Sequence, residues 1–107
     1  MGFLIYGGTQ EFEFEDRTLA HLKVAITTKL RRQESFLMSW VNPVERGGGR
    51  LSVWLAPNIP LVFRFSGGRP PQLNRHWVEI LIDHSHTARG LIVMPEDDAE
   101  KQQREKV

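Results

Sequence analysis

Residues 11–41, EFEFEDRTLAHLKVAITTKLRRQESFLMSWV, decide the fold, because their hydrophobic period changes twice within one short stretch. Phe12 and Phe14 alternate with Glu11, Glu13 and Glu15, so a strand there is apolar on one face and acidic on the other. Leu19, Leu22, Ile26 and Leu30 then recur at spacings of three, four and four, the stripe of a helix buried along one side over about residues 17–33. Asp16 is the predicted N-cap, since a carboxylate accepts the orphan N–H groups of a first turn. Period two returns at once: Phe36, Met38 and Trp40 alternate with Leu37, Ser39 and Val41.

Working outward, Phe3–Tyr6 suits a strand, and Gly7-Gly8 supplies the turn that folds it onto residues 10–15 as a hairpin. Downstream, Pro43–Arg50 holds Gly47-Gly48-Gly49 and reads as a loop. Two more strands follow, LSVWLA (51–56) and LVFRFS (61–66), separated by the turn Pro57-Asn58-Ile59-Pro60. A meander of these strands keeps apolar faces together if Met38 lies opposite Leu55 and Trp40 opposite Val53. That register sets Ser39 against Trp54 on the reverse face, and Trp54 against Arg64 or Val62 across the turn.

GGRPPQL (67–73) interrupts regular structure. Asn74 is the predicted N-cap of a second helix over about 75–86, with Trp77, Ile80, Leu81 and His84 sharing a side. Gly90 opens the next element, a short strand over 91–94 ended by Pro95. Residues 96–107 are polar without an apolar period. They form a frayed helix or stay disordered, and are expected to be a flexible tail beyond a single domain at 1–95. The order β-β-α-β-β-β-α-β predicts an α+β fold: two layers, a mostly antiparallel sheet of about six strands, and two helices on one face. The last strand follows a helix and is expected to pair in parallel.

At 107 residues, with 40% hydrophobic and 25% charged residues, the chain is one ordinary globular domain. No apolar run approaches the ~20 residues that a bilayer demands, so no membrane role is expected. The start, MGFLIYGG, lacks a basic segment and a cleavage site, which points to the cytoplasm. The absence of cysteine excludes disulfides, thiol nucleophiles and thiolate metal sites. There is no GxxxxGK[ST], GxGxxG or GxSxG, so no cofactor, phosphate-binding loop or nucleophile elbow is predicted.

Net charge is +1 but unevenly spread. Met1–Asp16 holds four acids and no base; Arg17–Arg75 holds ten bases against two acids, a net of +8; His76–Val107 holds four bases against seven acids, a net of −3. The basic centre is either an anion-binding surface or is cancelled in space by the acidic ends. Lys29, Arg31 and Arg32 fall in the last helical turn, where they complement the helix dipole or contribute to such a surface. Trp54 beside Arg64 on an open sheet face can stack a base while the guanidinium holds a phosphate; alternatively the indole packs under a loop or a partner subunit. Arg69, just before the second helix, can meet an anion, although Pro70 and Pro71 supply no N–H groups there. The candidate binding residues are therefore Trp54, Arg64, Arg69, Arg31, Arg32 and Lys29. His84 and His86, next to Asp83, are weak metal candidates, since a helix turns positions i and i+2 to different sides. His21 reads as a helix-flank residue.

DRTLAHLKVAITTKLRRQESF (16–36), WLAPNIPLVFRFSGGRPP (54–71) and LIVMPE (91–96) resemble a family of small bacterial proteins grouped as a domain of unknown function, many of which bear the label "ATP-dependent DNA ligase". The resemblance spans nearly all of residues 1–96 and implies a compact cytoplasmic domain. The label implies a lysyl-adenylate, which needs a lysine in a KxDG context. Lys23, Lys29, Lys101 and Lys106 stand in no such context, so the chain by itself is expected neither to adenylate itself nor to seal nicks. Three functions remain open: a module binding DNA, RNA or another polyanion; a homodimeric interaction protein; and an accessory subunit linked to ligation.

Overall fold

A computed structural model describes residues 1–105, with side chains through Gln102. The fold is α+β, with six strands, three α-helices and one 3-10 turn (Val44–Arg46) among the described residues. Strands β1 (Gly2–Tyr6) and β2 (Gln10–Phe14) form the expected antiparallel hairpin, with Leu4 opposite Phe12. The turn residues Gly7 and Gly8 take φ of +63° and +86°, left-handed values that glycine adopts without a Cβ clash. Helix α1 (Asp16–Arg31) follows, burying Leu19, Leu22, Ala25 and Ile26. Strands β3 (Phe36–Val41), β4 (Arg50–Leu55) and β5 (Leu61–Arg64) come next, then helix α2 (Arg75–Ser85), strand β6 (Leu91–Ile92) and helix α3 (Glu96–Glu105).

The strands divide into two sheets of three rather than lying in one, in the orders β2-β1-β5 and β4-β3-β6. β5 does not continue a meander from β4; it pairs antiparallel with β1, setting Phe63 beside Leu4. The physical reason lies in the Pro57–Pro60 connection. It carries the chain out of the second sheet, and the carbonyl of Pro60 then accepts the N–H of Gly7 at 3.0 Å, which fixes β5 against β1. In the second sheet β3 and β4 slide by two residues from the expected register, placing Phe36 opposite Leu55, Met38 opposite Val53 and Trp40 opposite Leu51. The hairpin is closed by Asn42 N–H donating to the carbonyl of Gly49 at 2.7 Å. A shift of two preserves which residues face inward, so the face assignment of every side chain survives. β6 pairs in parallel with β3, Met38 beside Leu91.

The sheets meet through aromatic rings: Trp40 lies 5.2 Å from Phe12 and 5.1 Å from Phe14, both edge-on. Leu4, Met38, Leu55, Leu81 and Leu91 complete a core sealed by the helices. Asn74 caps α2 as expected, its side-chain oxygen accepting from the N–H groups of His76 (3.1 Å) and Trp77 (3.3 Å). Asp16 does not cap α1. It is the first helical residue, Glu15 holds the cap position, and the Asp16 carboxylate accepts the N–H groups of Ser66 (3.2 Å) and Gly67 (2.8 Å). These bonds hold its carboxyl below the ordinary value. Residues 96–105 are helical, and the buried Ala99 joins the core; Lys106 and Val107, the end of the expected tail, lie outside the described residues.

Candidate interaction surface

Alternation on the second sheet sends Phe36, Met38, Trp40, Leu55 and Leu91 inward. The opposite face therefore carries Leu37, Ser39 and Val41 from β3, Arg50, Ser52 and Trp54 from β4, and Ile92 from β6. Cross-strand pairing orders this face in rows: Leu37 beside Trp54, Ser39 beside Ser52, Val41 beside Arg50. The two serine hydroxyls bond each other at 2.7 Å. Trp54 is 53% exposed and Val41 75% exposed. β3, β4 and β6 contain no carboxylate.

A groove of about 1250 Å³ opens beside this face, sharing Ser39, Val41, Arg50, Ser52 and Ile92 with it. Four arginines line it, and two are committed. Arg17 holds Glu96 with Nε and Nη2, each at 2.8 Å; Arg46 holds Glu13 through Nε at 2.9 Å. Among the described residues, Arg50 and Arg89 of the groove form no ion pair, and neither do Glu15 and Asp98. The groove is therefore close to electrically balanced.

The sequence-derived candidates are dispersed. Trp54 lies on the second sheet and Arg64 on the first, where its guanidinium sits 4.9 Å from the Phe3 ring and 3.7 Å from the Glu11 carboxylate. Arg31 and Arg32 are exposed at the end of α1, and Arg69 lies in the loop before α2. Lys29 is only 3% exposed: its ammonium lies 3.0 Å from Glu34, 3.3 Å from His86 Nδ1 and 5.9 Å from the Phe36 ring centre. That ammonium holds the Glu34 carboxyl below its ordinary value. The indole is left uncovered, but the expected cations do not gather round it, and glutamates of the opening hairpin engage Arg46 and Arg64. His84 lies in the last turn of α2 and His86 is its C-cap; among the described residues no group of three or more His, Asp or Glu side chains is placed to hold a metal ion.

Sequence reasoning missed two things. Arg50 shares a face with Trp54, legible in RLSVWL once β4 is extended back by one residue. His21 is fully buried, not flanking. Its Nδ1 donates to the carbonyl of Arg17 at 2.7 Å, its Nε2 accepts the N–H of Asn74 at 2.8 Å, and its ring stacks on Trp77 with centres 4.4 Å apart. One acceptor and one donor fix the neutral tautomer, and burial pushes its pKa down. The local pattern carries no signal for this burial, because the ring that covers His21, Trp77, comes from the second helix.

No curated protein and no solved structure matches the chain. A family model does, over residues 1–96, and the chain thereby belongs to the family described as Domain of unknown function (DUF7882).

Proposed function

We propose that the protein is a small interaction module whose outer second-sheet face receives a second copy of the chain. The observation that carries this is Trp54, 53% exposed, on the same face as Arg50 and without a carboxylate on any of the three strands. Tryptophan and arginine are among the residue types enriched at the energetic centres of protein interfaces, and lysine, glutamate and aspartate are depleted in interfaces. The face is also self-complementary. Along β4 it runs Arg50, Ser52, Trp54, with about 13 Å between the ends. Two copies laid across each other about a twofold axis near Ser52 bring each guanidinium over the other's indole, a cation–π pair in both halves.

Single-stranded nucleic acid is the second reading, favoured by an exposed indole on the same sheet face as Arg50, which with Arg89 lines the neighbouring groove. It ranks lower because nucleic-acid binders converge their cations, and here a net charge of +1 is spread over several faces. Sedimentation over about a hundredfold range of protein concentration tests the first reading. A dimer that Trp54→Ala and Arg50→Glu both dissociate is expected; a monomer throughout overturns it. Quenching of Trp54 by an oligothymidylate, weakening steeply with salt, would establish the second reading instead.

A further inference from the structure

A second cleft lies on the far side of α1, and we propose that it binds a small monocarboxylate with an apolar body. It has a volume of about 330 Å³, at the lower end of small-ligand sites. Its walls come from α1 (Ala20, Lys23, Val24) and from the loop between β5 and α2 (Phe65, Pro71, Leu73). The loop is strapped to α1 at both ends. At one end the Asp16 carboxylate takes the N–H groups of Ser66 and Gly67. At the other, Arg17 Nη1 donates to the carbonyl of Gln72 at 3.0 Å and Asn74 N–H donates to His21. Between the straps, Pro70 and Pro71 fix φ and resist collapse of the loop onto the helix. The space beneath is thus preformed, and a ligand entering it has little ordering of the protein to offset.

Charge selects the ligand's head group. Lys23 and Arg69 line the cleft, and among the described residues neither has a carboxylate partner; the Lys23 ammonium lies 5.8 Å from the Phe65 ring centre. The one acid in the lining, Asp16, already accepts two backbone N–H groups. Two unneutralised cations over an apolar wall match an anion attached to a ring or short chain. Leu73, a large apolar side chain left 46% exposed, is the surface such a ring would cover. The cleft is distinct from the second-sheet face, and the inference stands independently of self-association.

Titration with 4-phenylbutyrate, followed by methyl resonances of Ala20, Val24 and Leu73, tests it on the intact protein. For about a dozen non-hydrogen atoms a dissociation constant of about millimolar is expected. The uncharged 4-phenylbutanol should bind about fivefold more weakly. Lys23→Gln and Arg69→Gln, both at exposed positions, should each weaken the carboxylate about twofold and leave the alcohol unchanged. Absence of methyl shifts, equal affinity for acid and alcohol, or insensitivity to both substitutions overturns the proposal.

Discussion

The backbone N–H of Asn74 donates to Nε2 of His21 across 2.8 Å, joining the residue that caps α2 to the middle of α1. Around this bond Asn74 Nδ2 donates to Glu96 at 2.8 Å, Glu96 grips Arg17, and the carbonyl of Arg17 accepts from His21 Nδ1. Three helices thus close on one polar ring, with the stacked His21 and Trp77 beside it.

Protonating His21 at Nε2 would set donor against donor at Asn74. Its folded pKa lies below the unfolded value near 6.5, so the unfolded chain binds the extra proton first and stability falls as pH drops below that value. Burial dominates; the Arg17 carbonyl and the Glu96 carboxylate favour the added charge, and the Arg17 guanidinium disfavours it. Thermal melts from about pH 7.5 to about pH 5 should fall progressively. His21→Leu should flatten that slope while costing about 1–3 kcal/mol at neutral pH, because the Asn74 N–H loses its partner.

Glu96 gives a second acid limb. Its bonds from Arg17 and then Asn74 lower its pKa from 4.5 to about 2, so its contribution is complete above 4.5 and is lost as pH falls toward 2. Glu96→Gln should remove this limb in acid denaturation followed by circular dichroism. The pair is partly exposed, and about 1 kcal/mol at neutral pH is the expected loss.

Gly90 takes φ of +77°, and a Cβ there would clash with the carbonyl oxygen of Leu37. The Cβ would meet backbone atoms of Leu37, so neither a rotamer change nor a small side-chain shift relieves the clash. Gly90→Ala should cost more than about 2 kcal/mol in urea unfolding.

Ala99 is fully buried against the core although it lies beyond the matched residues 1–96. Ending the chain after Pro95 removes Ala99 and the Glu96 links and uncovers Trp77 and Met94. A loss of about 2–4 kcal/mol is expected, with a lower melting temperature and increased binding of a hydrophobic dye.

Trp54→Ala should behave in the opposite way. An indole half in solvent adds less than about 1 kcal/mol to the fold, so the melt should barely move while self-association is lost. Paired calorimetry and sedimentation separate the two effects.

The elements themselves were legible because each depends on neighbours in the chain. EFEFE alternates, Leu19 to Leu30 follows a helical period, and Asn74 stands just before a helical run; hydrogen-bond geometry turns those local patterns into strand, helix and cap. Inward and outward faces on β3 and β4 were equally legible, since a slide of two residues leaves side-chain parity intact. Tertiary structure alone decided the rest. β5 joins β1, not β4, because a strand takes whichever edge its connection can reach. His21 is buried because a second helix comes to lie over it. Lys29, Arg31, Arg32, Arg64 and Arg69 are dispersed because residues close in sequence, or on strands of different sheets, need not face the same way. A charge count along the chain is blind to direction, and direction determines whether cations form a site.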